Sequence, residues 1–147
     1  MKEKFKKAYM QTALTFAELS HARRLKVGCI IVKDDRIISI GYNGMPAGWD
    51  NNCEHEMKWP NGEIRFLQTK DEVLHAESNA IAKLARSVES GEGASLFVTH
   101  SPCLDCAKLI YQSGIVRVLY GYQYRDSAGL DFLARSGIEL EQLPNLN

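Results

Sequence analysis

Two short motifs constrain this chain more than any other feature of its sequence. They are His-Ala-Glu at residues 75–77 and Pro-Cys-Leu-Asp-Cys at residues 102–106. The imidazole of His75 and the thiols of Cys103 and Cys106 make three zinc ligands and leave the fourth position of a tetrahedral ion open, as a catalytic zinc requires. Glu77 lies beside this ligand set without belonging to it. The fold must therefore bring the two motifs together around one metal ion.

The composition is ordinary for a globular protein. The 147 residues are 45% apolar and 24% charged, and this length predicts a single domain over residues 1–147. No apolar run approaches the ~20 residues of a membrane helix, and the Lys-rich start lacks the apolar stretch of a signal peptide. We therefore expect a cytoplasmic protein with no membrane partner. Eighteen basic residues balance eighteen acidic ones, so the chain lacks the positive field of a general nucleic-acid binder.

Hydrophobic periodicity predicts nine elements in the order α-β-β-α-β-α-β-α-β. Helices are expected at about 5–20, 73–88, 103–113 and 128–135, and strands at 27–32, 37–42, 96–99, 116–120 and 138–143. Ser127 is the predicted cap of the last helix. The segment 43–70, rich in Asn, Gly, Pro and Trp, is predicted to be a long functional or mobile loop. The alternating second half predicts parallel strands with right-handed crossovers and helices on both faces.

Both motifs fall where a predicted helix begins after a sheet element. The positive ends of two helix dipoles would then point at the metal and favour thiolates at Cys103 and Cys106. Zinc lowers the pKa of a bound water to about 7, so zinc hydroxide is the expected nucleophile. Glu77 is the carboxylate expected to shuttle protons during the reaction.

The complete pattern is more specific than its parts. A Cys-x-x-Cys pair alone would favour a structural zinc site, and a thioredoxin-like redox pair is a weaker alternative. His-x-Glu together with Pro-Cys-x-x-Cys is the signature of zinc-dependent nucleobase deaminases. Four further sequence blocks, at 26–28, 41–48, 75–81 and 98–108, narrow the match beyond this signature. Over nearly its whole length the chain resembles the cytidine deaminase superfamily and, more narrowly, the deoxycytidylate (dCMP) deaminase family.

This resemblance implies a fold, a reaction and a set of contacts. The fold would be a three-layer α-β-α cytidine deaminase-like α/β fold with a central mixed five-stranded sheet. The reaction would be hydrolysis of dCMP to dUMP and ammonia, feeding thymidine nucleotide synthesis, with Zn²⁺ on the three ligands. The implied substrate contacts are Asn43 to the deoxyribose, the backbone of Ala76 and Ser101 to the pyrimidine, and Tyr124. A 5′-phosphate needs cationic groups, and a local basic cluster at the first helix-to-strand junction supplies them: Arg23, Arg24 and Lys26. The structural alternatives are a turn-forming Asn-Gly, a solvated run of charges and a half-buried aromatic patch.

Regulation is also implied by the resemblance. Members of the family are commonly hexamers that dCTP activates and dTTP inhibits, with Mg²⁺, at a site near a subunit interface. Gly44 and Arg86 match positions in that region. Arg86 lies nine residues past Glu77, on the opposite side of the helix from the zinc, although an exposed Arg interacting with the helix dipole is the alternative.

Two cysteines lie outside the motifs. Some family members hold a second, structural zinc, and here Cys53 stands where one ligand would fall, whereas Ala22 occupies the vicinity of another. His21, His55 and Glu56 are alternative donors, but the sequence offers no clean fourth ligand, so we assign no second metal. Cys29 is expected to be a small buried core residue.

Two rival functions stay open at this point. A related deaminase of another nucleoside, a nucleobase or tRNA would keep the zinc chemistry, although the neutral net charge argues against tRNA and the 43–48 block favours a nucleotide. A catalytically inactive, zinc-stabilised binding module would keep the fold. Glu77 distinguishes the two classes, because an inactive descendant has little use for that carboxylate.

Overall fold

The computed structural model describes residues 1–144. It contains four helices and seven strands within that range. Their bounds are α1 Glu3–Ala17, β1 Gly28–Lys33, β2 Arg36–Tyr42, β3 Glu54–Lys58, β4 Ile64–Thr69, α2 Ala76–Ala85, β5 Ser95–His100, α3 Leu104–Gln112, β6 Arg117–Tyr122, α4 Ala128–Arg135 and β7 Glu139–Gln142. No helix in this range is long and apolar enough to cross a membrane.

Five strands form the central sheet in the order β2-β1-β5-β6-β7. Strand β1 is antiparallel to β2 and to β5, whereas β5, β6 and β7 run parallel to one another. The sheet is therefore mixed, and its parallel half follows from the two strand-helix-strand units that α3 and α4 connect. This confirms the predicted cytidine deaminase-like architecture.

Helices cover both faces of the sheet. Because successive side chains of a strand point to opposite faces, β1 supplies Ile30 to one core and Ile31 to the other. Helix α1 packs on the Ile30 face, and α2, α3 and α4 pack on the Ile31 face. Cys29 is fully buried on that second face, as predicted. Helices α2, α3 and α4 therefore form one layer, and both motifs lie at helix starts within this layer.

The predicted loop 43–70 contains a β-hairpin, so that prediction was wrong over half of its length. Strands β3 and β4 pair antiparallel with each other and form a separate two-stranded sheet. Strand β3 reads Glu-His-Glu-Met-Lys, and only its first residue is buried. Such a strand shows neither β-branched enrichment nor apolar alternation, which are the signals that identify strands in a sequence.

Helix starts also differ from the predicted ones. Helix α2 begins at Ala76 rather than at 73, with His75 at its N-cap in an extended conformation, φ −78° and ψ 153°. Helix α3 begins at Leu104, and Cys103 is its extended N-cap. Ser127 occupies the N-cap position of α4 but donates to the Asp131 carboxylate at 3.0 Å instead of accepting a backbone N–H. The first metal ligand of each motif thus lies one residue before its helix.

Candidate active site

Three potential metal ligands converge where α2 and α3 begin. The Nδ1 atom of His75 lies 3.6 Å from the sulfur of Cys103 and 3.3 Å from the sulfur of Cys106. All three donor atoms lie within 4.8 Å of one another. A tetrahedral zinc with ordinary Zn–N and Zn–S bonds needs about 3.5 Å between its nitrogen and sulfur donors. The donor set therefore fits Zn²⁺, with these three residues as its ligands.

The protein groups alone leave the two thiols with unequal acidity. Hydrogen bonding from Cys106 and His75 lowers the pKa of Cys103 to about 4. The same contact with Cys103, together with burial, raises the pKa of Cys106. The contacts with Cys106 and His75 thus favour a thiolate at Cys103, and a bound cation would deprotonate Cys106 as well, since a coordinating thiol loses its proton.

Glu77 lies in the first turn of α2 and is 4% exposed. Burial raises the pKa of this carboxyl group to about 7, because desolvation disfavours the charged form. A group that titrates near neutral pH can both accept and release a proton during a reaction at that pH. Glu77 therefore has the acidity expected of a proton shuttle.

A cavity of about 730 Å³ opens beside these groups. One wall consists of motif residues, and we call it the motif wall: His75, Ala76, Glu77, Ser101 and Cys103. A second group of lining residues, which we call the loop wall, comes from the segment after α1, the residue after β2, the hairpin and the β6–α4 connection: Arg24, Leu25, Val27, Asn43, Glu54, Tyr124, Arg125 and Asp126. The volume is that of a typical small-molecule site.

Known proteins share this arrangement of elements and motifs. A family model described as the cytidine and deoxycytidylate deaminase zinc-binding region matches residues 3–122. The chain belongs to this deaminase family. It is 37% identical to the deoxycytidylate deaminase of Enterobacteria phage T4, over 94% of this chain and 89% of that protein. A crystal structure of the dCMP deaminase of cyanophage S-TIM5, in complex with dCMP and dUMP, matches with a TM-score of 0.86 and 44% identity, over 97% of this chain and 99% of that one. The predicted family is thereby confirmed.

Most of the substrate-binding residues predicted from the deaminase resemblance line the cavity. These are Asn43, Arg24, Ala76, Ser101 and Tyr124. Burial raises the pKa of the Tyr124 phenol to about 12, so its hydroxyl stays protonated at neutral pH and can donate a hydrogen bond. Lys26 is exposed and is not among the lining residues, whereas Arg125, which the sequence analysis did not single out, is.

Asn43 is held by the protein through both ends of its amide. Its Oδ1 accepts the backbone N–H of Val27 at 2.9 Å, and its Nδ2 donates to the Leu25 carbonyl at 2.8 Å. Its own carbonyl accepts the Ser20 hydroxyl at 2.7 Å. An amide can make four hydrogen bonds, so one N–H and one lone pair are left for a ligand. Asn43 therefore fixes the loop 25–27 in addition to facing the cavity.

Close packing fixes the backbone at both motifs. A Cβ added to Gly41 would collide with the Ala76 carbonyl, and one added to Gly129 would collide with the Pro102 carbonyl. Strand β2 and helix α4 thus pack directly on the two motif segments. Ser101 is buried and accepts the Tyr124 N–H through its Oγ at 2.9 Å. The predicted backbone contacts of Ala76 and Ser101 would come from rigid segments.

His100 lines the cavity but was not among the predicted site residues. Its ring centroid lies 5.0 Å from that of Tyr122 and 5.8 Å from that of Tyr124. Burial lowers the pKa of His100, which favours a neutral ring. The available signal was its position at the carboxyl end of β5, where ligands of α/β sheets usually bind.

The two predicted effector or interface residues, Gly44 and Arg86, are not among the residues that line the cavity. Arg86 is the exposed C-cap of α2. Gly44 and Leu74 exchange two backbone hydrogen bonds, of 3.1 and 2.8 Å, which tie the loop after β2 to the segment that leads to His75. Cys53 is 1% exposed, packs with Ala22 and Val73, and lies 3.5 Å from the Asn51 carbonyl.

Proposed function

We propose that this chain catalyses the zinc-dependent hydrolysis of dCMP to dUMP and ammonia, as one domain spanning residues 1–147. The observation that carries the proposal is the position of buried Glu77 beside three zinc-compatible donors, in a cavity that Arg24 and Arg125 also line. The phage T4 relative, a deoxycytidylate deaminase, and the cyanophage structure with dCMP and dUMP support this substrate.

Proton transfer in this reaction is the work of Glu77. Zinc, when bound, lowers the pKa of a water molecule and so supplies the nucleophile at neutral pH. As the water oxygen bonds to C4 of the pyrimidine, Glu77 accepts a water proton and passes it to N3. It then accepts the second proton of the former water from the new C4 hydroxyl and delivers it to the exocyclic amine, which leaves as ammonia while the C4 carbonyl of dUMP forms. One water is consumed and no redox step is needed.

The loop wall provides groups that suit a nucleotide. Arg24 would bind the 5′-phosphate, because a guanidinium matches phosphate geometry with two hydrogen bonds. Arg125 adds a second cation at the cavity, and Lys26 a third on the same loop as Arg24. Asn43 has amide groups left for the deoxyribose, and Tyr124 offers a protonated hydroxyl. These contacts favour a monophosphate over a free nucleoside or nucleobase.

Regulation forms a second part of the proposal. We infer a homohexamer that dCTP activates and dTTP inhibits, each with Mg²⁺, with Gly44 and Arg86 near the effector site or the subunit interface. The support is the family resemblance and the exposed position of Arg86 at the end of α2 opposite to His75.

Ammonia release by purified, zinc-loaded protein tests the proposal. The substrates are dCMP, deoxycytidine, CMP and guanine, each with and without dCTP and Mg²⁺. We expect turnover of dCMP and stimulation by dCTP. Turnover of another substrate alone would discard the phosphate and Asn43 assignments and keep the zinc chemistry. No turnover in the presence of bound zinc would favour a binding module.

A further inference from the structure

Glu54 is a buried carboxylate in the loop wall. It is the first residue of β3, it is 1% exposed, and it lines the cavity. Its Oε2 accepts the backbone N–H groups of both Arg23 and Arg24, each at 2.9 Å. A buried carboxylate is costly unless hydrogen bonds and opposite charge compensate it. The Glu54 side chain therefore ties the hairpin to the backbone of the basic loop after α1.

The side chains of the two arginines that Glu54 holds have different surroundings. The Arg23 side chain turns towards the hairpin, where it contacts Glu56 at 3.1 Å, Asn52 at 3.4 Å and the Oε1 of Glu54 at 3.7 Å. The Arg24 guanidinium has no ion-pair partner among residues 1–144, and Arg24 lines the cavity. The positive charge of Arg24 also acts on the Tyr124 phenol: it lowers the pKa of this group and so opposes the larger effect of burial. One arginine thus completes the junction and the other stays available to a ligand.

We propose that Glu54 is a positioning residue for substrate recognition, which holds the backbone of residues 23–24 so that Arg24 meets the 5′-phosphate. The proposal rests on the proposed function. Glu54 is not expected to touch the phosphate, because two like charges repel and its Oε2 already accepts two N–H groups. The β3–β4 hairpin is by this reasoning part of the machinery that selects a nucleotide.

Steady-state kinetics with two substrates test this role. Deoxycytidine differs from dCMP only by the phosphate, so a change transmitted through Arg24 must act on dCMP alone. We expect Glu54→Ala to raise the KM for dCMP by roughly tenfold or more, the size of a lost charge-assisted contact, with kcat within about twofold. Glu54→Gln keeps an acceptor for the two N–H groups and should give a smaller increase. Calorimetric binding of dUMP and deoxyuridine provides the same comparison without turnover.

A double-mutant cycle separates positioning from general support of the fold. In an Arg24→Ala background, Glu54→Ala or Glu54→Gln should have little further effect on dUMP affinity, because the contact they act through is gone. Glu56→Gln is the matched control, since Glu56 contacts the Arg23 side chain and not the backbone of Arg24. We expect it to behave as wild type. Thermal unfolding and zinc content establish that each variant is folded. If Glu54→Ala does not fold, the comparison is made with Glu54→Gln.

The outcomes distinguish this inference from the proposed function. Equal losses for dCMP and deoxycytidine, or full additivity with Arg24→Ala, would overturn the positioning role. The positioning role would also be overturned if the wild-type enzyme is active and both Glu54 variants have the same kinetic constants as the wild type. A wild-type protein that neither turns over dCMP nor binds dUMP would instead overturn the proposed function.

Discussion

The motif wall and the loop wall of the cavity are built in different ways. On the motif wall, His75 and Cys103 stand at the first positions before two helices, and glycines of β2 and α4 allow those segments to pack in direct contact. On the loop wall, Asn43 and Glu54 hold neighbouring segments through hydrogen bonds to backbone N–H groups. Rigid packing therefore supports the proposed chemistry, and side-chain hydrogen bonds support the proposed recognition. Changes on the two walls should have separable kinetic effects.

Loss of a zinc ligand should have the largest effect. Cys106→Ala removes the most buried of the three donors, and two remaining protein ligands cannot complete a three-ligand catalytic site. We expect zinc content to fall far below one ion per chain and dCMP turnover to be abolished. Elemental analysis and ammonia release measure the two results, and Cys29→Ala, in the core, is a control that should keep its zinc. Full activity in the absence of bound zinc would contradict the proposed chemistry.

Glu77→Gln should separate chemistry from binding on the same wall. Gln keeps the shape of the side chain but cannot carry protons, so kcat should fall by roughly 10²- to 10⁴-fold. Zinc content should be unchanged, and the affinity for dUMP should change only a few-fold. Rapid-quench kinetics and metal analysis give both numbers. Unchanged turnover would show that Glu77 plays no part in catalysis.

Stability against pH offers a third comparison, made on protein treated with a chelator. Because burial raises the pKa of Glu77 from 4.5 to about 7, the folded state binds this proton more tightly than the unfolded state. Its stabilising contribution is present below pH 4.5 and is lost as the pH rises through about 7. Between pH 5.5 and 8, the unfolding free energy of wild type should therefore fall by about 2 kcal/mol relative to Glu77→Gln. Denaturant titrations of both proteins measure the difference, and parallel pH profiles would refute it.

Arg24→Ala tests the loop wall, and Lys26→Ala is the variant with which it is compared. Loss of the guanidinium should raise the KM for dCMP by roughly tenfold to a hundredfold with little change in kcat, since it removes a charged hydrogen-bonding partner of the phosphate. Lys26 belongs to the same loop but does not line the cavity, so its substitution should raise KM only about threefold. Equal effects of the two would show that general charge, and not position, attracts the substrate.

The sequence predicted the motif wall better than the loop wall, for a physical reason. The ligands His75, Cys103 and Cys106 can be recognised from two short motifs, because the residue types and their spacing within each motif indicate metal binding. Both motifs also lie at helix starts, which place such residues reproducibly. The burial of Glu54 within the run Glu-His-Glu-Met-Lys has no such signal, because it depends on N–H groups some thirty residues earlier in the chain. The contacts of Asn43 with residues 25–27 depend likewise on how β2 lies beside the loop after α1.

The pairing of β3 and β4 has a consequence for the evolution and engineering of this enzyme family. The two strands pair with each other and with none of the five strands of the central sheet. Insertions or deletions at the tip of the hairpin therefore leave the register of the sheet and the metal-binding helices untouched. Since the base of the same hairpin contributes Glu54 to the cavity, selectivity for a new nucleotide can be sought in this appendage while the reaction centre is left as it is.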